Sequence, residues 1–503
     1  MSHFSKLITK LKENKVLLFI LTLAAILRLA FLDRAPLYFD EAVHSVILNN
    51  MLTLNNYHYD PAYHGPLLYR LIAPPVILLG LSEVTLRLMP AIFGVLTVYV
   101  VYRYKEFIRE DTAILASIFV AICPAIVNYS RFCRADSFQL FFVALFVYFL
   151  FKYLRYDHRW NDYRFDGTTF DLIYASLCMA LFACLKETFY VYAVIFGIYI
   201  LTQIKKIRLT DIAVSVALFF FVYLTVYSNG WTDLSIFTPS NFPAMRAIEY
   251  WKHQHDIARI AGPWYYFLEI IFMYAFPLLV FAIVKTEDMV LKKIDFLHIP
   301  TPEPKLMVFS AYWFISTLLF HSYMQEKVPW LVIHIMLPIY LLGAQAINEF
   351  KENLRKAAIF ISVVLLLYGS LHANFVDPTN PAEPILYMPT TWEAREFAQS
   401  VNETYVVFMT TPGEYYPLIW YFTGKNVIVT KSVSRLPPAN YVVLANGTMG
   451  EKIIKSGHTP ERNLVVRCWS WWTYPHVEKI PEFIIYRKPF GDVYCMNFTV
   501  FRG

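Results

Sequence analysis

Apolar residues come in eleven runs, near 16–33, 84–102, 112–129, 138–154, 170–185, 188–203, 211–227, 265–284, 306–324, 330–347 and 356–373. Their lengths approach the roughly 20 residues a helix needs to cross a bilayer, so the pattern predicts eleven transmembrane helices. The first run continues into Arg28 and Arg34 without a small-residue cleavage site, which reads as a retained helix, not a removed signal peptide. The polar segments between runs alternate in character. With the N-terminus inside, the cytoplasmic segments carry Lys6/Lys10/Lys12/Lys15, Arg103/Lys105/Arg109, Lys152/Arg155/Arg159/Arg164, Lys205/Lys206/Arg208, Lys285/Lys292/Lys293 and Lys351/Arg355/Lys356. Every one is basic, as the positive-inside rule requires. An odd number of spans then places residues from about 374 onward outside, where three sequons begin at Asn402, Asn446 and Asn497.

The first external loop, about 34–83, is long. Residues 40–54 read as an amphipathic helix lying on the membrane surface with Asp40 near its N-cap, and 66–80 as a second interfacial helix with Pro66 in its first turn. A second long external loop, 228–264, contains Trp231, Trp251, His253, His255 and Trp264. Beyond 375 the pattern changes. Alternating runs at 405–409 and 440–444, with Pro/Gly turns between, predict a small α/β domain. The expected organisation is an all-α polytopic membrane domain at 1–375 and an extracytoplasmic α/β domain at 376–503. No internal repeat of fixed period is present.

Composition narrows the class further. The 503 residues are 57% hydrophobic and 16% charged, with 18% aromatics suited to bilayer interfaces. The net charge of +6 is spread over short loops, so it reports topology and not nucleic-acid binding. Cys123, Cys133, Cys178 and Cys184 sit in or beside apolar runs and read as packing residues. Cys468 and Cys495 can form a disulfide if the tail is external, and the sequence leaves open whether they do. No CxxC or Cys/His metal spacing occurs.

Ionisable groups at membrane depth are costly, and four clusters of them fall at the external ends of the runs. They are Asp40-Glu41 with His44; Arg131, Arg134 and Asp136; Lys186-Glu187 at a tight turn; and Glu326-Lys327 ahead of Pro329-Trp330. His64 adds a further polar group near the first. Transfer of a sugar from a lipid phosphate suits this set. Its leaving group is a stable anion that needs cations and no general acid, while the acceptor hydroxyl needs one carboxylate base. One base with direct attack predicts inversion at the sugar carbon. Each cluster also has a structural reading. Asp40 can cap its helix, Arg131, Arg134 and Asp136 can form an ion-pair cluster, Lys186 and Glu187 can pair with each other, and Glu326-Lys327 can be a loop pair. Asp40, Glu41 and a histidine are also donors that a hard divalent cation accepts, though no spacing compels one.

The chain resembles the GT-C glycosyltransferases that use dolichyl- or polyprenyl-phosphate sugars, including protein O-mannosyltransferases and the lipid A aminoarabinose transferase. The resemblance rests on Asp40-Glu41, on Arg87-Leu88-Met89-Pro90 followed by Gly94, and on Pro124, Ser130, Arg131 and Asp136. Lys186 falls where the family often has a Thr-Lys pair, here preceded by Leu185. His64-Gly65-Pro66, Gly262-Pro263-Trp264-Tyr265-Tyr266 and Glu326-Lys327-Val328-Pro329-Trp330 are similar to an archaeal branch known as predicted membrane-bound mannosyltransferases or flippase-activity-associated proteins. The resemblance implies a GT-C fold, a dolichyl-phosphate-linked hexose donor, Asp40 as base, Glu41 and Arg87 supporting it, and Arg131, Arg134 and Lys186 on the phosphate. A segment from Trp469 to Tyr474 resembles the Trp-Trp-Asp-Tyr-Gly motif of oligosaccharyltransferases, but Thr473 replaces its Asp and Pro475 its Gly.

The expected function is therefore an inverting hexosyltransferase acting on a glycan, protein or lipid acceptor at the external face of the cell membrane. His44, His64, Asp136, Glu187, Glu326 and Lys327 are the further substrate-side candidates. Two competing readings are a non-enzymatic transporter or flippase-associated protein for lipid-linked sugars, and an oligosaccharyltransferase-like enzyme.

Overall fold

A computed structural model describes residues 3–54, 57–156, 158–160, 164–257, 260–291, 305–411, 413–470, 477–489 and 491–503. The helices in order are α1 (His3–Leu29), α2 (Phe39–Leu54), α3 (Pro66–Leu79), α4 (Glu83–Arg103), α5 (Glu110–Ile122), α6 (Pro124–Ser130), α7 (Asp136–Leu154) and α8 (Gly167–Ala183). They continue as α9 (Thr188–Thr202), α10 (Leu209–Tyr227), α11 (Pro243–Asp256), α12 (Tyr266–Leu291), α13 (Leu306–Tyr323), α14 (Ile333–Asn348) and α15 (Glu352–Leu371). All eleven predicted apolar runs are helical. Among the described residues, α4, α7, α10, α12, α13, α14 and α15, with the turns that extend some of them, are long and apolar enough to cross a membrane, while α3, α8 and α9 are apolar but shorter. The chain is a polytopic membrane protein.

The run at 112–129 is not one straight helix. It breaks at Cys123 and bends by 60° between α5 and α6. Pro124 causes this, because it disfavours helical backbone at the residue before it and offers no N–H to the preceding turn. The carbonyls freed at the end of α5 are taken by a residue from another helix. The fully buried Arg28 of α1 donates to Ala121 O at 2.8 Å and Val120 O at 3.0 Å.

The chain divides into two compact units. The first comprises Met1–Leu32 and His58–Leu371. In it α7 packs on α4 and α8, and α14 packs on α5, α12 and α13. The most apolar stretch containing α14 is 89% buried against 17% for α10, so α14 forms the centre of the bundle and α10 its periphery.

The second unit comprises Asp33–Tyr57 and His372–Gly503. Its five-stranded sheet runs β2 (Asn426–Val429), β1 (Tyr405–Met409), β3 (Tyr441–Ala445), β5 (Val493–Arg502), β4 (Arg462–Ser470), with β1 parallel to β2 and β3 and β5 antiparallel to β3 and β4. Val406, Phe408, Val442 and Leu444 enter one core with α16 (Trp392–Ser400), while Val407, Met409, Val443 and Ala445 enter another with Ile453. Both faces are covered, which is why β1 and β3 are apolar throughout and do not alternate with polar residues. Cys468 and Cys495 stand directly opposite in the β4–β5 register and are disulfide-bonded. The other four cysteines are buried thiols that form no disulfide. The part of the oligosaccharyltransferase-like segment at 471–476 lies outside the described residues.

Candidate active site

In the membrane unit the site is organised by Asp136, the first residue of α7. Its Oδ2 accepts from Arg134 Nε at 2.9 Å and its Oδ1 from Lys186 Nζ at 3.0 Å, all three side chains being almost completely buried. The Trp330 ring lies 3.9 Å from the Arg134 guanidinium and 5.9 Å from the Lys186 ammonium. One turn along α7, Gln139 Oε1 accepts from His334 Nε2 and Thr188 Oγ1, each at 3.2 Å. Two buried cations thus share one carboxylate. Charges out of water are stable only when compensated, so such a group favours a second anion. Burial lowers the Lys186 pKa, and Asp136 opposes that shift.

Lys186 and Glu187 do not pair with each other. Lys186 turns to Asp136, whereas Glu187 accepts from Tyr59 OH at 3.1 Å and faces His64 Nδ1 at 3.3 Å. Burial pushes the Glu187 carboxyl up to about 7, against a backbone hydrogen bond, Lys186 and Tyr59, which pull it down. The turn that separates the two side chains is held by the His64-Gly65-Pro66 segment. Gly65 N donates to Leu185 O at 2.9 Å and Leu67 N to Cys184 O at 3.1 Å. A Cβ at Gly65 would stand 2.1 Å from Cys184 O, so only glycine permits this approach.

The remaining candidates of this unit have different partners. Arg131 donates to Leu27 O (3.3 Å), Arg28 O (3.2 Å), Ala30 O (2.7 Å) and Phe31 O (2.7 Å), and Arg87 to Leu32 O at 2.7 Å. Both therefore satisfy carbonyls at the C-terminal end of α1 and just beyond it, groups no helix can satisfy internally. Lys327 does the same for α13, donating to His321 O at 2.9 Å and Ser322 O at 2.6 Å. Burial lowers its amine to about 8. Glu326 forms a one-residue parallel bridge with Ile260.

Asp40, Glu41 and His44 belong to the second unit, on α2. The helix starts at Phe39, so Asp40 is not its cap. Glu41 fills that role, its Oε2 accepting from Tyr38 N at 3.0 Å, as an acidic third residue does in a capping box. Glu41 is fully buried and Asp40 only partly. The chain entering α2 is anchored at Leu37, whose N donates to Tyr421 OH (2.8 Å) and whose O accepts from Thr390 Oγ1 (2.7 Å). Among the described residues no three His, Cys, Asp or Glu side chains gather as they would around a metal ion.

Residues 63–228, which contain Arg87, Arg134, Asp136, Lys186 and Glu187, match the family model described as dolichyl-phosphate-mannose-protein mannosyltransferase. No curated protein matches the sequence. Among solved structures, ArnT from Cupriavidus metallidurans bound to undecaprenyl phosphate superposes with a TM-score of 0.63 at 12% identity, covering 93% of this chain and 98% of that one. The chain has the GT-C glycosyltransferase fold. A second GT-C structure, the archaeal oligosaccharyltransferase AglB from Archaeoglobus fulgidus with an inhibitory peptide and a dolichol-phosphate, gives a TM-score of 0.54 at 14% identity, covering 88% of this chain and 70% of that one. The family model matches about a third of the chain, whereas the fold is shared along most of its length.

Trp330, Gln139 and His334 extend the site beyond the sequence candidates. Trp330 carried a signal in the Pro-Trp pair at the start of a span. Gln139 lies three residues after Asp136 and so on the same helix face, a spacing that could have found it. His334 had none.

Proposed function

We propose that the chain is an inverting membrane glycosyltransferase that moves a hexose, mannose in the first instance, from a dolichyl or polyprenyl phosphate to an acceptor hydroxyl on the external face. The observation that carries this reading is the pair of buried cations, Arg134 and Lys186, on the single carboxylate of Asp136. Arg suits a phosphate through paired N–H donors and Lys through its point charge, so the cluster matches a lipid phosphate ester. The family description over 63–228 supports mannose as the sugar, and the basic segments between the spans support the external face. Asp40 is assigned the base. Its neighbour Glu41 is buried and committed to the start of α2, whereas Asp40 keeps solvent access.

In the step proposed, Asp40 takes the acceptor hydroxyl proton while that oxygen attacks the anomeric carbon from the face opposite the phosphate. The carbon–oxygen bond to phosphate breaks, and its electron pair leaves on the dolichyl phosphate. The test supplies radiolabelled dolichyl-phosphate sugars to membranes containing the protein. Transfer from dolichyl-phosphate-mannose, abolished in Asp40→Asn with lipid binding kept, is the expected result. No transfer from any donor overturns the enzyme reading. Movement of lipid-linked sugar that survives Asp40→Asn favours a transporter instead.

A further inference from the structure

The strand β4 does not run straight past α2. Its register with β5 shifts between Val465 and Arg467, and such irregularities re-aim the side chain that follows. The 389–391 segment runs along this stretch: Thr391 N donates to Val466 O (2.9 Å), Cys468 N donates to Pro389 O (3.3 Å), and Thr390 bridges Arg467. Thr390 also holds Leu37 O, three residues before Asp40. Arg467 is therefore tied by backbone on one side and by Thr390 on the other to the start of the helix that carries Asp40. Its guanidinium lies over the Phe39 ring at 4.9 Å, and Tyr416 meets the same ring edge-on at 5.5 Å.

The groups whose charges act on this guanidinium are Tyr38, Asp40, Glu414 and Tyr387, and they oppose the lowering that burial imposes on it. Glu414 also accepts from Thr410, from Thr411 N (3.3 Å) and from Asn446 Nδ2 (2.9 Å). Arg467 Nε is buried with no hydrogen-bond partner among the described residues, a donor left open at a cost. Tyr387 is held at φ 63°, a left-handed conformation that a bulky side chain seldom adopts and that is commonest where strain serves a site.

Resting on the glycosyltransferase reading, we propose that Arg467 is a positioning residue for the Asp40 base, which makes the sheet unit part of the transfer machinery. The guanidinium lies over the Phe39 ring, and its charge acts on the neighbouring Asp40 carboxylate. Lysine keeps the charge but cannot lie over a ring as a plane. A base displaced by about 1 Å loses rate on the order of 100-fold, so the effect belongs in kcat and not in donor affinity.

The experiment measures kcat and KM for dolichyl-phosphate-mannose in membranes carrying wild type, Arg467→Ala, Arg467→Lys and, as control, Arg462→Ala on the exposed part of the same strand. Arg467→Ala is expected to lower kcat about 100-fold with KM within about twofold, added guanidinium to restore part of it, and Arg462→Ala to match wild type. Thiol counting for Cys468–Cys495 reports whether the strand pair has survived the substitution. Wild-type kcat in Arg467→Ala overturns the proposal, as does a loss that guanidinium leaves unchanged while the disulfide stays intact. A loss accompanied by a broken disulfide assigns Arg467 a structural role and overturns it too. Absence of transfer in wild type refutes the underlying enzyme reading, which separates the two failures.

Discussion

Removing Asp136 and removing Lys186 have opposite consequences in a site where two cations share one carboxylate. Asp136→Asn preserves the shape but leaves Arg134 and Lys186 buried without a counter-charge. Breaking a buried pair this way costs about 3–5 kcal/mol. A ceiling comes from the cheapest escape, stripping the proton from Lys186. For a lysine of ordinary pKa at pH 7 that costs about 5 kcal/mol. Lys186→Met leaves the Arg134–Asp136 pair complete at 2.9 Å and Trp330 still over the guanidinium at 3.9 Å. Its stability loss is about 2 kcal/mol, one charge-assisted hydrogen bond. The binding effects run the other way for their size. On the proposed function, Lys186→Met removes one charged contact to the lipid phosphate, worth about 1.5–3 kcal/mol, or roughly 10- to 150-fold in affinity. The assay is dolichyl-phosphate binding together with thermal inactivation at one scan rate, both in lipid nanodiscs. Asp136→Asn should inactivate at a clearly lower temperature than Lys186→Met. An Asp136→Asn protein as heat-resistant as wild type, or a Lys186→Met protein that binds dolichyl phosphate normally, would refute the shared-carboxylate account.

Two further predictions follow from the turn beside this cluster. The folded Glu187 carboxyl titrates at about 7 against an ordinary value of 4.5, so between those values the folded state holds a proton that the unfolded state has lost. Stability from this group is complete below about pH 4.5 and falls as pH rises toward 7, by about 3 kcal/mol in total. Thermal inactivation followed across that range should show the decline in wild type and a flatter profile in Glu187→Gln; equal slopes would remove the assignment. Gly65→Ala should push the 184–187 turn away from His64, because the new methyl would meet Cys184 O at 2.1 Å. Loss of dolichyl-phosphate binding, with assembly in the membrane retained, is the expected result. Unchanged binding would mean that the turn does not place Lys186.

The helices and strands were legible because they depend on local pattern. All eleven apolar runs are helical, the one at 112–129 broken at Cys123 into two helices; 66–79 is a helix with Pro66 at its start, and 405–409 and 441–445 are strands. Asp40 and Glu41 also stood out as acids following a span. Which of the two takes the backbone at the helix start was not readable, since the helix begins one residue earlier than the pattern implies and Glu41, not Asp40, accepts from the chain entering it.

Pairing between elements was not legible either. Lys186 and Glu187 are neighbours in the chain, yet one meets Asp136 and the other Tyr59 and His64, because Gly65 fixes the turn between them. Arg87 and Arg131 have the charge a phosphate needs, but both donate to carbonyls where α1 ends and the chain leaves it. The sequence by itself determined the apolar helices, the strands and the stock of charged groups, since hydropathy and periodicity act over a few residues. Of the eleven spans it implied, seven helices, or eight with the bent α5–α6 pair, are long and apolar enough to cross a membrane among the described residues. Only the tertiary structure decided which cation faces which carboxylate and that the Asp40 helix shares a unit with strands some 400 residues away. The contact that ties it there, Thr390 to Leu37, spans 353 residues and leaves no periodic trace in either segment.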